Sequence, residues 1–83
     1  MPTLLRNGGL RLVIWPNDHS PPHVQVFSGN AEAKIELGEA GEHPRLIENR
    51  RMKRSEIAKA LALVAEHRVM LARKWREIHG PVD

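Results

Sequence analysis

Two periodicities divide the chain, and they change over near residues 50–55. Ahead of that point apolar and polar residues alternate with the period of a strand. The stretch "LRLVIW" over residues 10–15 sets Leu10, Leu12 and Ile14 against Arg11, Val13 and Trp15, and its β-branched and aromatic content favours an extended chain. "HVQVF" over residues 23–27 puts Val24 and Val26 on one face and His23, Gln25 and Phe27 on the other. "AEAKIEL" over residues 31–37 alternates most cleanly, with Ala31, Ala33, Ile35 and Leu37 opposed to Glu32, Lys34 and Glu36, so it predicts one dry and one wet face. Ser28, Gly29 and Asn30 join the last two runs, and Gly and Asn tolerate the positive φ that a hairpin turn requires. "RLIE" over residues 45–48 is a candidate fourth strand, too short for periodicity to decide.

After the changeover the period is helical. Ile57, Leu61, Val64, Leu71, Trp75 and Ile78 form one stripe interrupted only by Arg68, and Leu63 and Met70 broaden it. Ser55 as N-cap, Glu56 in the first turn and the stop at Gly80-Pro81 bracket a helix over residues 55–78. At about 1.5 Å per residue it is about 36 Å long, so its distal turns are expected to project beyond the sheet. The predicted architecture is a single α+β domain over residues 1–83: a three- or four-stranded antiparallel meander with one long C-terminal helix packed on it.

Size and charge narrow the function classes. A chain of 83 residues sits near the lower limit for a self-sufficient core, which disfavours a large enzyme with a deep pocket. With no cysteine there is no disulfide, thiolate nucleophile or Cys-based metal site, which fits a cytoplasmic location. Arg6, Asn7, Gly8, Gly9 and Arg11 interrupt the N-terminal apolar run, so neither a signal peptide nor a membrane span is predicted. The net charge of +3 is uneven: residues 1–44 hold three Lys/Arg against five Asp/Glu, and residues 45–83 hold ten against five. Arg45, Arg50, Arg51, Lys53 and Arg54 run into the helix start and are candidate contacts to nucleic acid or phosphate; a solvated basic face is the plainer reading. No aromatic residue is interleaved with them, which weighs against base stacking.

One short stretch carries the candidate chemistry. "DHSPPH" brings Asp18, His19 and His23 around a double proline. The prolines exclude the helical His-x-x-x-His metal geometry and extend Ser20 and Pro21 into a stiff corner that leads into the strand at His23. Asp18, His19 and His23 are candidate ligands for zinc, nickel or another first-row ion, with Gln25 on the same strand face as His23. The structural alternative is that Asp18 caps the turn and His23 bonds a backbone carbonyl. His19, His23 and His67 are candidate acid-base groups, but no nucleophile elbow, phosphate loop or cofactor motif accompanies them.

Taken together these features resemble a family of small bacterial proteins, domain of unknown function 4160. Its members begin Met-Pro-Thr and continue through a Gly and a short strand to Asp-His-x-Pro-Pro-His-Phe-His-Val, here "MPT", Gly9, "LRLVIW" and "DHSPPHVQV". A second pattern, His-Arg-x-x-Leu-x-x-x-Trp, recurs as His67, Arg68, Leu71 and Trp75, so the likeness runs from Met1 to about Ile78. The family's third histidine is Gln25 here and the preceding Phe is Val24, which weakens the metal reading because glutamine is a poor ligand for a transition ion. The resemblance implies a sheet-plus-helix domain and a small partner protein from a neighbouring gene, commonly of domain of unknown function 2442, in arrangements described as toxin-antitoxin-like. The leading expectation is therefore a non-enzymatic interaction module that binds this partner, through its apolar helix or by strand addition to a sheet edge, with nucleic acid or a second copy as further candidates. The alternatives are a small ribonuclease-like toxin using His19 and His23 with a basic phosphate-holding segment, and a metal-binding sensor.

Overall fold

The computed structural model describes residues 3–19, 21–38 and 42–80. Five strands precede two helices: β1 (Thr3–Asn7), β2 (Leu10–Val13), β3 (His23–Ser28), β4 (Ala31–Glu36), β5 (Arg45–Arg50), α1 (Arg54–Glu66) and α2 (Arg68–His79). The strands hydrogen-bond in chain order as one antiparallel sheet, β1-β2-β3-β4-β5. The α+β meander is thus present, but with five strands where the sequence predicts three or four, and with two helices where it predicts one.

The extra strand is made by two glycines. Gly8 and Gly9 have φ of 56° and 83°, the paired left-handed values that a two-residue type I′ hairpin needs. The interrupted apolar run of the N-terminus therefore folds back as β1 on β2. β2 stops at Val13 rather than Trp15, although Ile14 remains fully buried. β3 extends to Ser28, β4 ends at Glu36, and the short fourth run grows to the six residues of β5. All six are exposed, so β5 lacks the in-out contrast that makes a strand legible. Its ladder with β4 passes from Lys34↔Glu48 to Ile35↔Leu46, leaving Ile47 as the extra residue of a bulge.

One face of the sheet carries Leu10, Leu12, Val24, Val26, Ala31, Ala33 and Ile35, and these form a single core with Ala60, Leu63, Val64, Leu71 and Trp75 of the helices. The helical stripe expected from the sequence is therefore core, with Ile57, Leu61, Met70 and Ile78 packed at its margin.

Lys53, not Ser55, caps α1; Ser55 lies inside the first turn. Glu56 accepts the Lys53 backbone N–H at 3.0 Å and, with its other oxygen, the Ser28 hydroxyl, so this carboxylate ties the end of β3 to the helix start. The Ser28 and Lys53 hydrogen bonds hold the Glu56 carboxyl below its ordinary value of 4.5. A depressed folded value gives stability that is complete above the unfolded value and is lost as pH falls through the folded one. Urea titrations across that acid range are expected to show wild type losing stability relative to Glu56→Gln as pH drops. Parallel pH profiles for the two proteins would refute the coupling.

The helix divides at His67, whose φ of −107° and ψ of 19° leave the helical region. His67 N–H still donates to Leu63 O, and Leu71 N–H to His67 O, so the two segments remain joined. Arg68, the one charge on the apolar stripe, donates through Nε to Leu37 O at 3.0 Å and through Nη2 to Gly38 O at 2.7 Å. It satisfies two carbonyls at the point where the chain leaves β4. The distal turns do not project past the sheet; they reach back to the corner between β2 and β3. Gly80 closes α2 with φ 79° and an N–H bond to Arg76 O, while Pro81 lies outside the described residues.

Candidate functional site at the corner before β3

Residues 15–18 form a turn in which Asp18 N–H donates to Trp15 O and Trp15 N–H donates to Asp18 Oδ2, both at 3.1 Å. Pro16 occupies the second position, where its fixed φ suits the turn. Asp18 is thus the turn cap that the structural alternative describes. Ser20 of the corner lies outside the described residues. Pro22 O accepts Leu37 N–H at 3.0 Å, tying the corner to the chain just beyond β4.

His23 is buried, only 6% exposed, at the first residue of β3. Its Nδ1 lies 2.8 Å from Pro21 O, an atom that only accepts, so Nδ1 carries the proton. Nε2 faces Asp18 Oδ2 at 3.5 Å and has no hydrogen bond. The ring leans on Trp75 with centroids 5.2 Å apart and planes 51° apart. Trp75 in turn stacks on His79 at 3.9 Å and 28°. The His79 ring nitrogens lie 3.1 Å from Trp15 O and 3.2 Å from Trp75 O; both partners accept, so a neutral ring bonds one of them and an imidazolium bonds both. Asp18, His23, Trp75, His79 and Trp15 therefore make a closed clasp between the corner and the end of α2.

The candidate acid-base triad does not assemble. His23 is enclosed in the clasp, His19 is exposed, and His67 sits at the helix break beside Glu66. Gln25, at the position of the family's third histidine, accepts the Trp15 indole N–H at 2.9 Å. Its oxygen is thereby engaged with an indole. Among the described residues no three His, Cys, Asp or Glu side chains are arranged to hold a metal ion, and the candidate ligands Asp18, His19 and His23 are not such a group. Asn17, Asp18, His19, Pro21, Lys34 and Ile47 line an open cleft of about 300 Å³ above His23.

The basic segment is also not uniform. Arg45 pairs with Glu36 at 2.7 Å, which raises the guanidinium pKa further, and Arg50 pairs with Glu48 at 3.3 Å. Arg51, Lys53 and Arg54 are exposed and make no salt bridge among the described residues. Arg51 takes a left-handed φ of 70° in a turn clamped by Asn49, which donates to Met52 O and accepts Met52 N–H. Met52 is buried in the core, so the turn is anchored from below.

A family model with the description "Domain of unknown function (DUF4160)" matches residues 9–76. The chain belongs to the DUF4160 family. No curated protein and no solved structure matches it. The matched span of this DUF4160 domain contains the corner, Arg68 and Trp75, and ends just before His79, the last member of the clasp. Sequence reading missed His79 and weighed His67 instead. The signal was its spacing of one turn from Trp75, which places the two side chains side by side on a helix.

Proposed function

We propose that this DUF4160 domain is a non-enzymatic interaction module of a cytoplasmic toxin-antitoxin-like or regulatory gene pair, binding a small partner protein along β5. The observation that carries this reading is the edge itself. β5 has a neighbour on one side only, all six of its residues are exposed, and Leu46 and Ile47 are 37% and 47% exposed. An incoming strand would satisfy the free backbone groups and cover both apolar side chains, each worth about 1.5–3 kcal/mol when fully buried. The clasp supports the same reading, because it engages Asp18 and His23 in holding the fold together. Among the described residues no helix is long and apolar enough to cross a membrane.

Co-expression with the product of the neighbouring gene is expected to give a stable complex. Ile47→Lys should weaken that complex roughly 10- to 100-fold while leaving the fold intact, since this side chain lies outside the core. Two proteins that elute separately, or an unaffected Ile47→Lys complex, would reject β5 as the docking edge. The ribonuclease-like reading has the cleft beside His19, His23 and Lys34 as its support. RNA cleavage by wild type but not by His23→Ala would favour it over the interaction module.

A further inference from the structure

We propose that the sheet face opposite the helices binds single-stranded nucleic acid, with Phe27 as the stacking platform. This surface meets the β5 strand at Arg50 but lies on the sheet face and not along its edge, and the inference does not rest on the partner reading. Strand register sets five side chains in one row across the whole sheet: Arg6↔Arg11, Arg11↔Phe27, Phe27↔Glu32 and Glu32↔Arg50. The row therefore reads Arg6, Arg11, Phe27, Glu32, Arg50. Three guanidinium groups stand against Glu32 within the row and against Glu48 beside it, which pairs with Arg50 at 3.3 Å. Both helices pack on the other face through the core cluster; the corner before β3 lies over the end of this face that holds Val13 and Gln25, while the row itself is exposed or half-buried.

The residue types match the chemistry of an unpaired strand. Phe27 is half-buried, and the Arg11 guanidinium lies over its ring, 5.1 Å from the centroid. A flat aromatic side chain beside a planar cation offers two surfaces on which a base can stack, and every base has a π-face. Arg6 and Arg50 are exposed at opposite ends of the row, four strand spacings or about 19 Å apart, a span that takes several nucleotides of an extended strand and not one. Arg51 follows directly, held outward by the turn that Asn49 and Met52 fix. An open sheet presents no helix to enter a duplex groove, so a single strand is the better fit. Sequence alone weighs against stacking because Phe27 is remote from the basic run in the chain. The register removes that objection by placing it two strands from Arg50.

Fluorescence anisotropy of the full chain with short labelled RNA and DNA single strands of one sequence, and with their duplex, tests this. Either single strand should bind more tightly than the duplex, and the tighter of the two identifies the natural ligand. The logarithmic salt slope should be about −2 for three neutralised phosphates. Phe27→Ala should weaken binding roughly 5- to 150-fold with the slope retained. Phe27→Leu, which keeps apolar volume but no ring, serves if the alanine variant fails to fold and should also weaken binding. Arg6→Gln with Arg50→Gln should lower both affinity and slope. The proposal is overturned if wild type binds no single strand at low salt, if Phe27→Leu binds as wild type does, if the duplex is preferred, or if polyglutamate competes as well as the oligonucleotide.

Discussion

Trp75→Ala is expected to bring the domain to the edge of unfolding at room temperature. The side chain is 1% exposed, belongs to the core, and is gripped by His23 on one side and His79 on the other. Emptying such a site costs about 3–5 kcal/mol through lost transfer energy and the cavity left behind. A chain of this length has only about 4–12 kcal/mol in total, at roughly 0.05–0.15 kcal/mol per residue. Urea denaturation should show the midpoint falling by about a quarter or more. Hydrogen exchange should show the loss of protection reaching residues 15–18 as well as α2, because His79 no longer stacks where it can bond Trp15 O. Trp75→Phe is a sharper comparison. It keeps an aromatic ring and deletes Nε1, which is buried without a hydrogen-bond partner, so its cost should be less than half that of alanine. Equal losses for the two variants would show that a smaller ring and its volume do not suffice there and that the whole indole is needed.

Arg68→Ala should cost about 2–4 kcal/mol, since it removes two charge-assisted hydrogen bonds and strands the Leu37 and Gly38 carbonyls in a part-buried setting. Arg68→Lys restores a charge but not the fork, so it should recover only part of that loss. Thermal or urea unfolding ranks the three proteins. If lysine equals arginine, the geometry of the two bonds is immaterial and only the positive charge counts. The expected order, wild type above lysine above alanine, would make Arg68 the residue that fixes α2 to the end of β4.

What could be read from the sequence was what depends on nearest neighbours along the chain. The alternation of residues 31–37 predicted β4 to within one residue, and the stripe from Ile57 to Ile78 predicted which side of the helices is core. Elements without that contrast were hidden. β1 is short and relies on paired glycine angles, and β5 is exposed on every side chain. The break at His67 does not shift the apolar stripe, so periodicity continued across it. The corner was legible as a stiff turn capped by Asp18, but its partner was not. His79 lies 64 residues from Trp15, and nothing local ties the two together. The row through Phe27 is hidden for the same reason, because cross-strand order is a property of register and not of adjacency.

The bulge at Ile47 has a counterpart at the far side of the sheet. The β1–β2 ladder also shifts register, between Thr3 and Leu5, whereas the two central ladders run without interruption. Both outer borders are therefore uneven and the interior is regular. A sheet with two smooth borders can add copies of itself head to tail without limit, β1 of one molecule against β5 of the next, and grow into a fibre. Here each border strand carries an irregularity of the kind that discourages such edge-to-edge growth.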